Sequence, residues 1–349
     1  MKIISSDTAF PPHYYPQQEI TSALSGYWSE FSNKAPLVER FHRNAGVDYR
    51  HLAMPLKDFT GLGNWGEAND KWIEIAVDIG EQAIRRALNN AGIKPEQIGA
   101  LFFVSITGVA NPSIDARLMN RIGFSSHLKR IPIFGLGCVA GAAGLARAAD
   151  YVRAFPNQVA LVLSVELCSL TWQAHDITPA NIISTALFGD GAAAVVLAGR
   201  DVAVNGPNII DTESVFYHDT ENLMGWDISH DGLRVVLSPD VPKVCREHLG
   251  PDVDSFLARH GIRREDIGLW IMHTGGPQVL EAMADSLGLP AQALKHSWEC
   301  LRKVGNLSSA SVLVVLDDIL KQHCPPAGTW GLLAAMGPGF CSELVLMRW

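Results

Sequence analysis

One cysteine, Cys138, stands in the run GLGCVAGAAG (residues 135–144), where its neighbours are glycine and alanine and the apolar segment IPIF precedes it. Gly135 and Gly137 permit a tight turn with positive φ, which puts Cys138 in the first turn of a helix. The partial positive charge of a helix N-terminus favours thiolate over thiol, and small neighbours let a carbonyl reach the sulfur. Without partners the same residue reads as a buried structural cysteine. His273 ends the apolar run IGLWIM and precedes TGGP, so its ring emerges from a sheet at a turn, and Asn306 opens NLSSAS. Thiol, imidazole and carboxamide at three matched element ends would then converge, with the cysteine a candidate nucleophile toward a carbonyl.

An internal repeat supplies the frame that brings these groups together. AGIKPEQIGALFFV begins at residue 91 and HGIRREDIGLWIMH at residue 260, both reading as helix end, acidic turn and buried strand. The same offset of 169 residues sets the Cys138 segment opposite LSSASVLVVLDDIL from Leu307, so Asn306 falls beside the thiol. DKWIEIAVDIGEQAIRRALNNAGI is an amphipathic helix, while QVALVLSVEL and AAAVVLAG are buried strands. Layered α/β architecture follows, in two halves, residues 1–204 and 205–349, divided near GRDVAVNGPN (residues 199–208). The Ala- and Gly-rich stretch 139–149 is what close packing of a central helix requires.

Length and composition restrict the remaining choices. The 349 residues, 48% hydrophobic, suit one large or two modest cores. No apolar run reaches the roughly 18 residues of a membrane span, and the first residues lack signal-peptide features, so a cytoplasmic address is expected. Six scattered cysteines without a C-x-x-C pair read as reduced thiols. A formal charge of −8 argues against nucleic-acid binding, and no metal-ligand motif such as H-E-x-x-H occurs. GLGNWG (residues 61–66) fits G-x-G-x-x-G, but no buried strand precedes it, and the NLS at Asn306 matches a glycosylation sequon only formally.

With GCVAGAAGL around Cys138, ALFGDGAAAVV at 186–196, HTGGPQVL from His273, GNLSSASVLVVLDD from Gly305 and the late GPGF at 337–340, nearly the whole chain resembles the type III polyketide synthases, the chalcone-synthase-like branch of the thiolase superfamily. The resemblance implies a homodimer of thiolase-like, five-layered αβαβα fold. A starter acyl-CoA loads Cys138 and malonyl-CoA extends it by decarboxylative condensation, with no cofactor beyond the CoA thioesters. His273 is then expected to pair with the thiolate and, with Asn306, to donate to the thioester oxygen. Phe188 matches an aromatic gatekeeper in LFGDG. A second gatekeeper position carries Val235, a departure that implies a wider cavity or a tunnel and, with it, a fatty acyl starter and an alkylresorcinol or alkylpyrone product; a phloroglucinol or naphthalene product stays open. Thr171 and Ser308 match pocket positions and Glu166 an acid behind them, but the third member of that network falls on Ile106. Arg40, Arg43 and Arg50 fall where the family holds CoA phosphates, and Asn111 where a loop reaches into the partner's cavity.

Two rivals use the same residue types. A ketoacyl synthase of the kind that starts fatty-acid synthesis shares Cys, His and Asn but usually follows the histidine with Gln-Ala-Asn, where this chain has TGGP. A cysteine hydrolase or amidotransferase would cleave thioesters or amides without consuming malonyl-CoA, and a catalytically silent binding protein is disfavoured because no member of the constellation is missing.

Overall fold

The computed structural model describes residues 1–30 and 33–349. Its strands are β1 (Lys2–Ala9), β2 (His13–Pro16), β3 (Tyr49–Leu52), β4 (Ile98–Val104), β5 (Lys129–Ile133), β6 (Val159–Leu167), β7 (Asp190–Ala198), β8 (Asn208–Phe216), β9 (Met224–Ser229), β10 (Gly232–Leu237), β11 (Ile267–Met272), β12 (Trp330–Gly337) and β13 (Cys341–Arg348). The helices are α1 (Gln17–Ser29), α2 (Ala35–Asn44), α3 (Trp65–Ala91), α4 (Ile114–Ile122), α5 (Ala140–Ala154), α6 (Pro179–Leu187), α7 (Val241–Ala258), α8 (Pro277–Leu287), α9 (Lys295–Val304) and α10 (Ser311–Gln322).

The repeat read from the sequence is visible in the backbone. Gly92 (φ 64°) closes α3, a 3-10 turn follows at Pro95–Gln97, and β4 begins at Ile98; Gly261 (φ 67°), the turn Arg264–Asp266 and β11 from Ile267 retrace that path. Strand order repeats too. β4 pairs parallel to β6, then β7 and β1 follow antiparallel; β11 pairs parallel to β12, then β13 and β8 follow antiparallel. A single pairing, Lys2 with Asn208, joins the two runs into one sheet of nine strands, β11-β12-β13-β8-β1-β7-β6-β4-β5.

Three buried clusters fill the spaces between five layers. Trp72, Ala76, Ile79, Ala83 and Ile84 of α3 pack on one half of the sheet, and α7 and α8 cover the other with Leu249, Phe256 and Leu280. Between the halves lie α5 and α10, packed on strands from both. Their closeness depends on small residues: a Cβ on Gly141 of α5 would stand 2.0 Å from the Ser309 carbonyl oxygen. The small neighbours of Cys138 therefore serve this backbone contact first. GLGNWG is not a ligand loop: Asn64 caps α3 by accepting the Glu67 N–H at 3.1 Å, and Gly66 is already inside the helix. No helix among the described residues is long and apolar enough to cross a membrane.

Candidate active site

Cys138 lies in a 3-10 turn, Gly137–Val139, immediately before α5. Gly135 (φ 96°) and Gly137 (φ 54°) adopt the left-handed conformations that turn needs, and Pro338 packs where a Cβ on Gly137 would be, at 2.5 Å. The thiol is 6% exposed. Its hydrogen-bond partner is Ser308 Oγ at 3.6 Å. Burial pushes the thiol up to about 12, against the lowering pull of the Ser308 contact, and the Glu166 charge adds to the rise. Burial thus opposes the thiolate expected from the helix end.

Asn306 arrives from the opposite half, between α9 and α10. Its Oδ1 accepts the Ser308 N–H at 2.8 Å and the Ser311 hydroxyl at 3.2 Å, which turns the amide nitrogen, the donor, the other way. Gly305 (φ 75°) lets the chain enter this turn past Arg50 and the Leu187 carbonyl. Ser308 itself has φ 49°, uncommon for a residue with a side chain and typical of positions the surroundings over-determine. His273 follows β11, held by its own N–H to the Ala334 carbonyl at 3.0 Å. Burial holds its imidazole down to about 4, and its Nδ1 has no hydrogen-bond partner among the described residues.

Cys138, His273, Asn306 and Phe188 line one cavity of about 40 Å³. Sulfur and imidazole share that wall, and no hydrogen bond joins them among the described residues. Phe188 also borders a second, apolar chamber of about 90 Å³, lined by Thr171, Trp172 and Phe59, and so stands between the two spaces. It is pinned from two sides: Arg50 Nη1 donates to the Phe188 carbonyl at 2.6 Å, and an isolated parallel bridge joins Phe188 to Asn306.

Arg50 requires a correction. It is 2% exposed, with Nε donating to Gln17 Oε1 at 3.1 Å, and burial lowers its guanidinium to about 10 despite the opposing charge of Asp190. Such a group braces Phe188 from inside and is closed to CoA phosphates at the surface. Arg40 and Arg43, on α2, are exposed.

Glu166 is fully buried at the back of the site. It accepts from Thr107 Oγ1 at 2.8 Å, Ile106 N at 3.2 Å, Ser105 Oγ at 3.3 Å and, more closely, Ser309 Oγ. Ile106 therefore joins the network through its backbone, while Ser105, Thr107 and Ser309, which the motif comparison passed over, supply the hydroxyls. Thr171 stays outside it, donating to the Cys168 carbonyl at 2.8 Å. Val235 pairs with Trp226 across the β9–β10 hairpin, two positions along from the Met224–Leu237 pair whose side chains line the thiol's cavity. Alternation puts Trp226 and Val235 on that same face, but neither borders the cavity that holds Cys138 directly. The two-residue loop His230–Asp231, closed by the Ser229–Gly232 pair, sets this register.

Burial raises Glu166 to about 7 from its ordinary 4.5, against the lowering effect of its hydrogen bonds. A carboxyl raised on folding contributes stability that is present below about 4.5 and lost as pH climbs through about 7, worth about 3 kcal/mol. Glu166→Gln should flatten that part of the curve. Melting temperatures of both proteins between these limits provide the measurement; parallel curves would show that Glu166 does not titrate there.

A thiolase-like double α/β frame with a cysteine, a histidine and an asparagine at its central helix ends defines an acyl-transferring condensing enzyme. The model for the chalcone and stilbene synthase N-terminal domain matches residues 67–201, and that for the C-terminal domain residues 209–349. The chain belongs to this family, the type III polyketide synthases, whose members catalyse decarboxylative Claisen condensation. It is 50% identical over 345 residues to 1,3,6,8-tetrahydroxynaphthalene synthase of Streptomyces peucetius subsp. caesius, covering 98% of this chain and 91% of the relative. Phloroglucinol synthase of Pseudomonas fluorescens is 31% identical, with 97% of each chain covered. Among solved structures, the tetrahydroxynaphthalene synthase of Streptomyces coelicolor A3(2) superimposes with a TM-score of 0.95 at 31% identity, over 100% of this chain and 99% of that one. Family membership sets aside the ketoacyl synthase and hydrolase readings.

Proposed function

We propose that this polyketide synthase primes itself with malonyl-CoA and makes a small polyhydroxylated aromatic of the naphthalene class. The observation that carries this reading is the 50% identity, over 98% of the chain, to a tetrahydroxynaphthalene synthase. The position of Val235 supports it, since it does not border the cavity that holds Cys138 and so does not supply there the width on which the expectation of a fatty acyl starter and an alkylresorcinol or alkylpyrone rested.

In this reading the half 1–204 supplies the nucleophile and the half 205–349 the groups that handle charge. Cys138 sulfur attacks the starter thioester, its proton passes to His273, and His273 returns that proton to the departing sulfur, so that CoA leaves as the free thiol. Malonyl-CoA then places its thioester oxygen against His273 and Asn306. Loss of CO2 leaves an enolate, whose carbon attacks the acyl-cysteine carbonyl, expels the Cys138 thiolate and lengthens the chain by two carbons. Phe188 offers an apolar face that disfavours the malonyl carboxylate and so promotes its loss. Thr171, Ser308, Val235, Glu166 and the Ile106 backbone shape the space in which the chain folds. Arg40 and Arg43 take the CoA phosphates, and no further cofactor enters.

The enzyme works as a homodimer in the cytoplasm. β5 is an open sheet edge, and exposed Phe134 (54%) and Val109 (46%) lie near it or near Asn111, whose loop then reaches the partner.

Radiolabelled malonyl-CoA as sole substrate, with product mass spectrometry, is expected to give an aromatic built from malonyl units alone. Long-chain acyl-CoA starters should add little. If no product forms until a fatty acyl-CoA is supplied, the malonyl-primed reading fails.

A further inference from the structure

The helical hairpin α9–α10 carries Asn306 and Ser308 at its tip, and its opposite, open end holds a second cluster of reactive groups. His296 and Glu299, three residues apart on α9, face Asp318 of α10 and His323, which caps that helix. One ligand atom from each of the four lies within 4.8 Å of all the others. His296 Nδ1 stands 3.7 Å from Asp318 Oδ2, and His323 Nε2 stands 3.6 Å from the same oxygen. In a tetrahedral zinc site with bonds of about 2.0 to 2.2 Å, neighbouring donor atoms are about 3.3 to 3.6 Å apart, so side-chain shifts of about 1 Å separate this arrangement from a closed site.

A second observation points the same way. His296 is 5% exposed, yet its Nδ1, the atom aimed into the cluster, has no hydrogen-bond partner among the described residues. An orphaned buried nitrogen is uncommon, and a metal bond satisfies it. Two carboxylates balance a divalent cation, imidazole binds metal in its neutral form, and the C-terminal end of α10 contributes partial negative charge.

We propose that His296, Glu299, Asp318 and His323 form a structural site for a divalent transition metal of zinc-like preference, which clamps the open end of the α9–α10 hairpin. The sequence hides it, because the ligands come as two pairs, H-x-x-E and D-x-x-x-x-H, on separate helices. The clamp lies about 15 Å of helix from Asn306, so it stiffens the element that presents the amide and takes no part in the chemistry.

Full-length protein, stripped with a chelator and titrated with Zn²⁺ or Co²⁺, tests this. One metal per chain is expected, with the intense visible bands of four-coordinate Co²⁺ and a rise in melting temperature. His323→Asn and Glu299→Gln alter exposed or half-buried positions and should each fold. Each is expected to weaken uptake by more than about 100-fold, because even outer-shell partners of a metal are worth about 10- to 100-fold. Cys324→Ser removes the exposed thiol next to His323 and should leave binding intact. Absence of stoichiometric uptake overturns the site, as does uptake undiminished in His323→Asn and Glu299→Gln or lost in Cys324→Ser.

Discussion

Cys138→Ala protein is expected to acquire no acyl group from any CoA thioester and to lose condensation by about 10⁴- to 10⁶-fold, the scale on which enzymes lose activity with their nucleophile. The reason is local. Six cysteines are free, yet only Cys138 lies in the cavity that also holds an imidazole and a carboxamide. Cys168 is buried against the neighbouring chamber and Cys245 and Cys300 lie in the outer and middle cores. Intact-mass spectrometry after incubation with acyl-CoA reads the result directly. An adduct that survives the substitution would move the nucleophile elsewhere and with it the whole assignment.

His273→Ala should be less damaging, by a route that can be told apart. Removing one positioned donor from an oxyanion site costs about 10²- to 10³-fold, and decarboxylation of malonyl-CoA should fall by that much. A second readout isolates the thiol. Desolvation pushes Cys138 up to about 12 and His273 down to about 4, so each alone stays neutral. A thiolate forms at neutral pH only when the thiol hands its proton to the base in the same cavity, since only an imidazolium partner offsets the cost of burying the sulfur's charge. Alkylation of Cys138 by iodoacetamide at neutral pH should therefore slow by at least about tenfold in His273→Ala. The residual rate should climb steeply with pH. Equal alkylation rates in the two proteins would remove His273 from the ionisation of the thiol.

Much of this arrangement was legible in the residue order because the reactive groups sit where local signals are strongest. Cys138 follows a Gly-x-Gly turn, His273 ends an apolar run and Asn306 follows a glycine, so each could be set at an element end. The repeat then paired those ends across the molecule. Contacts made at long range were hidden: Glu166 meets Ser309 across 143 residues and Ser105 across 61, and no local pattern records such meetings. Arg50 was misread for a different reason. It resembles Arg40 and Arg43 in type, but it belongs to β3, where alternation with buried Leu52 turns it inward. That signal was available.

The β9–β10 hairpin is a two-stranded sheet of its own, not bonded into the nine-stranded frame. Phe188 and Asn306, by contrast, are tied to each other across the two halves. Walls that hang from a detached ribbon can be exchanged residue by residue while the reactive centre keeps its alignment. Evolution or an engineer can accordingly diversify what this scaffold manufactures by rewriting residues 224–237, without retuning the bond-forming step.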